Sequence, residues 1–167
     1  MKQDVNTLVH RDYLSTRPFA EVVAAFEAAI GSVEGDKLSQ VTRESKSADE
    51  FAERVKKFEG SSGFMLFLKI EHGPWMAKAG LQGKGTLYIL GNPLIAQTMI
   101  RYSIDVGLYV PVRMLVYADP ETGVGRVAYD LPSSQLARLG DTRVNDAVKA
   151  LDDKMAALAE LVTGDKD

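Results

Sequence analysis

The sequence predicts an α+β domain: a single, mostly antiparallel sheet of about five strands with helices packed on one face. Three observations carry that expectation. The β-favouring runs Val112 to Ala118 and Val124 to Asp130 flank Asp119-Pro120-Glu121-Thr122-Gly123, a hairpin with Pro and Gly at turn positions, so at least one strand pair is antiparallel. Val144, Val148, Leu151, Met155, Leu158 and Val162 keep helical spacing along one face and give a long closing helix that begins near Asp141. Between them the order strand, helix, helix, strand, short helix, strand, helix, hairpin, helix suits helices laid on one face of a sheet.

Each element follows from its local pattern. Val5 to Leu14 carries Thr7, Val9 and Tyr13 and reads as a first strand near an edge. Pro18 suits a first helical turn, and Phe19, Val22, Val23, Phe26 and Ile30 recur at three and four, so a helix runs to about Gly31. Ser32 to Lys46 has Gly35, mixed charges and few large apolar residues, and is expected to be a mobile surface excursion. Ser47-Ala48-Asp49-Glu50 is a capping box for a helix over 47–57 whose buried stripe is Phe51, Val55 and Phe58. Phe64, Leu66, Leu68, Ile70 and His72 alternate with Lys69 and Glu71, which predicts a strand with His72 ending its core-facing row. Gly73-Pro74 starts a short helix that Gly80 can end in a left-handed conformation. Gly85 to Leu90 is the next strand, and it runs into Gly91-Asn92-Pro93, where Asn92 caps and Pro93 opens a helix carrying Leu94, Ile95, Met99 and Ile100. Beyond the last helix, Thr163 to Asp167 is expected to fray.

A chain of 167 residues with 46% hydrophobic and 26% charged residues is that of one ordinary globular domain, which places the domain at residues 1–163 with a tail at 164–167. A net charge of −3 withholds the basic field on which nonspecific nucleic-acid binding relies, so no nucleic-acid partner is expected. The absence of cysteine removes disulfide scaffolds, zinc knuckles, iron–sulfur ligation and thiol catalysis. The N-terminal residues show no signal-peptide apolar region and no stretch approaches a membrane span, which points to a cytoplasmic protein without a membrane partner.

The spaced combination His72-Gly73-Pro74-Trp75-Met76-Ala77-Lys78-Ala79-Gly80-Leu81, Tyr88-Ile89-Leu90-Gly91-Asn92-Pro93, Val110-Pro111-Val112-Arg113-Met114-Leu115-Val116-Tyr117 and Val127-Ala128-Tyr129 resembles the bacterial and archaeal DUF 302 family, a domain of unknown function. The resemblance covers roughly residues 16–140. It implies a compact α+β domain, often a homodimer, with no established reaction. Residues 32–62, with their own helix, then stand out as a helical insertion. Leu108-Tyr109-Val110-Pro111 would expose apolar surface for the dimer contact.

Two local features suggest a ligand site. A strand passing through Gly91 into a helix start capped by Asn92 offers N–H groups and partial positive charge to an anion, although Asn92 as a cap alone explains the pattern. His72, beside a Gly-Pro turn, could act as a base or ligand, although such a histidine more often serves as a structural hydrogen-bonder. Tyr88, Tyr117 and Tyr129 could line a pocket with it, or simply pack the sheet. Lys78, Lys84, Arg101 and Arg113 could supply counter-charge, the usual role of such residues being solubility. His10 lies on a different strand, so no metal site is expected. Gly83-Lys84-Gly85-Thr86 lacks phosphate-loop spacing and precedes a strand. The leading expectation is a protein that binds or senses a small ligand in one crevice bordered by His72 and Gly91-Asn92-Pro93. The alternatives are an enzyme using His72 as general acid/base with an anion held at the Asn92 helix start, and a haem-binding protein with His72 or a neighbouring Met as axial ligand. No other cofactor is expected.

Overall fold

The structure, a computed structural model, describes residues 1, 3–33, 35 and 37–164. Its elements in chain order are β1 (His10–Pro18), α1 (Phe19–Ala29), β2 (Gly31–Ser32), α2 (Lys37–Glu44), α3 (Ala48–Lys56), β3 (Met65–Glu71), α4 (His72–Lys78), β4 (Gly85–Gly91) and α5 (Pro93–Ile100). A short 3-10 turn (Ile104–Leu108), β5 (Val112–Ala118), β6 (Val124–Asp130), α6 (Pro132–Leu136), a second 3-10 turn (Ala137–Leu139) and α7 (Thr142–Thr163) complete it. The strands form one sheet in the order β1-β6-β5-β4-β3-β2, antiparallel throughout except for the β2–β3 pair. This is the expected α+β architecture with one short edge strand added, but the helices lie around the sheet and not on one face: Leu66 packs with the α1–α7 layer, while the neighbouring Met65 packs against α2 and α3.

Alternation sets the two faces of the sheet. Tyr88 and Leu90 of β4, Met114 and Val116 of β5 and Val127 of β6 are fully buried, and Val22 and Phe26 of α1 with Val148, Leu151 and Met155 of α7 close over them. Burying a large apolar side chain contributes about 1.5–3 kcal/mol, so this layer dominates the stability. The intervening residues Leu87, Ile89, Arg113 and Leu115 point to the other face, which the main helices leave open. α7 is fastened at both ends. Asp141 accepts from the Arg143 N–H at 2.9 Å, and the Ser15 hydroxyl donates to the Thr163 carbonyl at 2.7 Å. Thr163 is therefore buried and held, contrary to the expectation that it frays; 165–167 lie outside the described residues.

Three further local expectations change. The first strand is shifted to His10–Pro18. Within 32–46, Lys37–Glu44 is helical, because Val41 finds a buried place against Val55 of α3 and Met65 of β3. That small cluster, with Phe51 and Phe58 partly buried around it, seats the expected α3, whose cap is as read: Ser47 Oγ accepts from the Glu50 N–H at 3.1 Å. The Glu50 carboxylate reaches one residue further back than a capping box requires and accepts from the Lys46 N–H at 2.9 Å. Finally, the register of β3 against β4 shifts between Leu66 and Leu68, a bulge at Phe67 that inverts the second half of the strand. Leu68 is thereby turned out, 48% exposed, and Lys69 is placed opposite Tyr88 on the packed face.

Candidate functional site

The residues expected to share one crevice divide into three places. β3 and β4 are antiparallel, with Met65 opposite Gly91 and Glu71 opposite Thr86. His72, after the end of β3, and Asn92, after the end of β4, therefore sit at opposite ends of the strand pair, roughly 20 Å apart at the rise of a β-strand. The single crevice joining them is not formed. His72 begins α4, half-buried, where its Nδ1 accepts from Trp75 Nε1 at 3.1 Å; it lines neither cavity described below. This is the structural hydrogen-bonding role. It separates His72 from the Asn92 helix start on which the acid/base alternative depended.

The tyrosines separate in the same way. Tyr117 lies on the open face, donating to Asp12 Oδ2 at 2.8 Å. Tyr129 is buried on the packed face, its hydroxyl 3.3 Å from that of Tyr13. Tyr88, also on the packed face, packs against Phe26 with the rings tilted and their centroids 4.6 Å apart, and donates to Glu27 Oε1 at 2.8 Å. Glu27 in turn pairs with Lys69 at 2.7 Å. Burial pushes Glu27 up, but the hydrogen bonds from Lys69 and Tyr88 outweigh it and leave the carboxyl below its ordinary range.

Burial pushes the Tyr88 phenol far above its ordinary 10.0, and the bond to Glu27 adds to the shift; Tyr129 moves the same way through burial and Tyr13. The folded state thus keeps protons that the unfolded chain gives up. The stability these groups contribute is fully present below pH 10.0 and is lost as pH rises above it. A phenolate absorbance titration should show Tyr88 and Tyr129 titrating only with unfolding, and Tyr88→Phe should make the alkaline loss of melting temperature shallower.

The third place is a cavity of about 330 Å³ at the Gly91-Asn92-Pro93 helix start. Phe64 and Phe67 lie on one side, Ile95, Met99 and Ile100 of α5 on another, Val110 to Val112 on a third, and Leu151 of α7 reaches it from the helical layer. Gly91 keeps the space open, since a Cβ there would approach Phe67 to 3.1 Å and Pro111 to 3.3 Å. Asn92 is a cap and a clamp. Its Oδ1 accepts from the Leu94 N–H at 2.8 Å, while its Nδ2 donates to Glu59 Oε1 at 2.8 Å and to the Gly63 carbonyl at 2.9 Å. Pro93 has no N–H, and Ile95 and Ala96 both donate to the Asn92 carbonyl. The donors an anion would need are used, so the expected anion site has no free N–H in this turn. Of the two polar side chains in the lining, Asn92 and Gln97, it is Gln97, exposed at the mouth, that makes no side-chain hydrogen bond among the described residues. No sequence pattern singled out Gln97 or the Phe64–Met99–Leu151 lining, because those residues converge only through the packing of α5 and α7.

Together these features define a single-sheet α+β domain with a small apolar cavity between the Phe64–Phe67 stretch, α5 and the long final helix. The chain belongs to the family described as "Domain of unknown function DUF302", whose sequence profile matches residues 39–162. The match begins later than the resemblance over 16–140 and takes in α3 and most of α2, so it includes much of the segment read as an insertion. The fold is that of the crystal structure of an uncharacterized conserved DUF302 protein from Bacillus stearothermophilus, with a TM-score of 0.64 at 14% identity over 92% of this chain and 97% of the other. A stretch of 89 residues, 52% of the chain, is 36% identical to the fluoride-specific ion channels FluC 1 of Brucella suis and FluC 1 of Brucella abortus. It spans 34% and 32% of those channels. Among the described residues of this chain no helix is long and apolar enough to cross a membrane.

Proposed function

We propose that the protein binds a small, mainly apolar molecule in the cavity under α5, in a binding or sensing role. The observation that carries this reading is the cavity itself. Ligand pockets begin at about 300 Å³ and are walled mainly by apolar side chains. A cavity of about 330 Å³ with apolar walls and one uncommitted amide at its mouth suits a flat aromatic body with a single hydrogen-bonding group. A ligand at 100 times its dissociation constant stabilises by about 2.7 kcal/mol, a rise in melting temperature of about 5–11 °C for a chain of this size. 1-Naphthol should produce such a shift, and Ala96→Phe, which fills the cavity from α5, should abolish it. Sodium fluoride belongs in the same screen because of the channel relatives; a shift with fluoride and none with chloride would transfer the reading to an inorganic anion.

The protein is further proposed to be a homodimer in the cytoplasm. The support is the 3-10 turn before β5, where Ile104 is 79% and Leu108 77% exposed. Two large aliphatic side chains held out on one turn suit an isologous contact. Light scattering should give twice the chain mass of 18.2 kDa, and Ile104→Glu with Leu108→Glu should return it to one.

A further inference from the structure

The open face of the sheet carries a second concavity, about 800 Å³, across β4, β5, β6 and β1. Its floor is set by register: Leu87 opposite Leu115, Ile89 opposite Arg113, and Leu115 opposite Ala128. Leu8 rises at one side, and Leu108, which the proposed dimer contact would cover, lies at the rim. The charges around it are committed to one another. His10 Nδ1 and Asp130 Oδ1 are 2.9 Å apart, Arg126 is held between Asp12 at 2.8 Å and Asp119 at 2.9 Å, and Arg138 donates to the Tyr109 hydroxyl at 2.7 Å. Arg113 is the exception: it is exposed in the middle of an interior strand, and its side chain makes no hydrogen bond or ion pair among the described residues.

We propose that this face is a second binding site, distinct from the cavity under α5, for an organic anion with one carboxylate and an aliphatic body. The carboxylate pairs with the Arg113 guanidinium, whose planar fork matches it in a two-bond geometry. The aliphatic body lies over Leu87, Ile89 and Leu115, removing exposed apolar area from water. Asp130, the carboxylate nearest in register, is turned toward His10 at 2.9 Å and forms no ion pair with Arg113. The arrangement selects amphiphiles: a fully apolar molecule leaves Arg113 unpaired, and a small inorganic anion leaves the floor uncovered.

Dodecanoate, kept below its micelle-forming concentration, tests this by calorimetric titration of the full chain, with dodecanol as the uncharged control. Arg113→Gln should weaken dodecanoate binding by about tenfold or more, the worth of one charge-assisted contact, and leave dodecanol unchanged. Because Arg113 is exposed, its replacement leaves the fold intact, which the melting temperature verifies. Ala96→Phe should leave dodecanoate binding as it was. Unchanged dodecanoate affinity in Arg113→Gln overturns the proposal, as does loss in Ala96→Phe, which would place the ligand under α5. No binding by the wild-type chain, with Arg113→Gln altering its mass in solution, would make this face an interface between copies and also overturn it.

Discussion

Replacing Gly60 or Gly31 by alanine should destabilise the fold by more than about 3 kcal/mol, the upper range of overpacking costs. The reason is a contact between two stretches of main chain. The Phe64 carbonyl accepts from both the Gly31 N–H and the Gly60 N–H at 2.9 Å, and the Ser62 N–H donates to the Ala29 carbonyl at 3.0 Å. A Cβ on Gly31 would stand 1.8 Å from the Phe58 carbonyl oxygen, and one on Gly60 would stand 2.4 Å from that of Ala29. Neither obstacle is a side chain that can rotate away. The backbone must part, which breaks these hydrogen bonds and detaches the end of α1 from the loop that leads into β3. Urea unfolding of Gly60→Ala should show a strongly lowered midpoint, and Gly35→Ala, with open space around its Cβ but a φ of +55°, should show the smaller cost of backbone strain alone.

Phe26→Ala should cost about 3–5 kcal/mol, as expected for a fully buried ring. Phe26 lies between α1 and the sheet, its ring against Tyr88, so truncation leaves a cavity and admits water to the Tyr88 hydroxyl. Two readouts should move together. Chemical denaturation should show the loss of stability, and the Tyr88 phenol should titrate in the still-folded chain, below the pH of alkaline unfolding, because its burial is the main cause of the shift. A stability loss with the phenol still titrating only on unfolding would mean that the Glu27 bond, and not the dry setting, holds its proton.

Elements whose signal is local were legible in the sequence. Ser47, Asn92-Pro93 and Asp141 all start helices through contacts within two or three residues, and Asp119 to Gly123 turns the β5–β6 hairpin. What escaped depends on partners distant in the chain. The alternation of Leu66, Leu68 and Ile70 looks like one face, but the bulge at Phe67 turns Leu68 outward and sets Lys69 inward, where Glu27 meets it. α2 shows one buried residue, Val41, whose neighbours come from α3 and β3. The error over His72 and Asn92 has a simple geometric cause. Each follows the end of a strand, but successive antiparallel strands end at opposite edges of a sheet. Of the expected site, Gly91 and Asn92 border the cavity, while the cavity itself is a product of tertiary packing.

The space under α5 is proposed to receive a small apolar molecule. Methyl-resolved NMR of the isotope-labelled chain titrated with 1-naphthol tests it most directly, because Ile95, Met99 and Leu151 are reporters from different walls. Saturable shifts are expected at all three in the wild-type chain and none in Ala96→Phe. Methyl signals that stay unmoved at saturating 1-naphthol, or shifts that persist undiminished in Ala96→Phe, would contradict it.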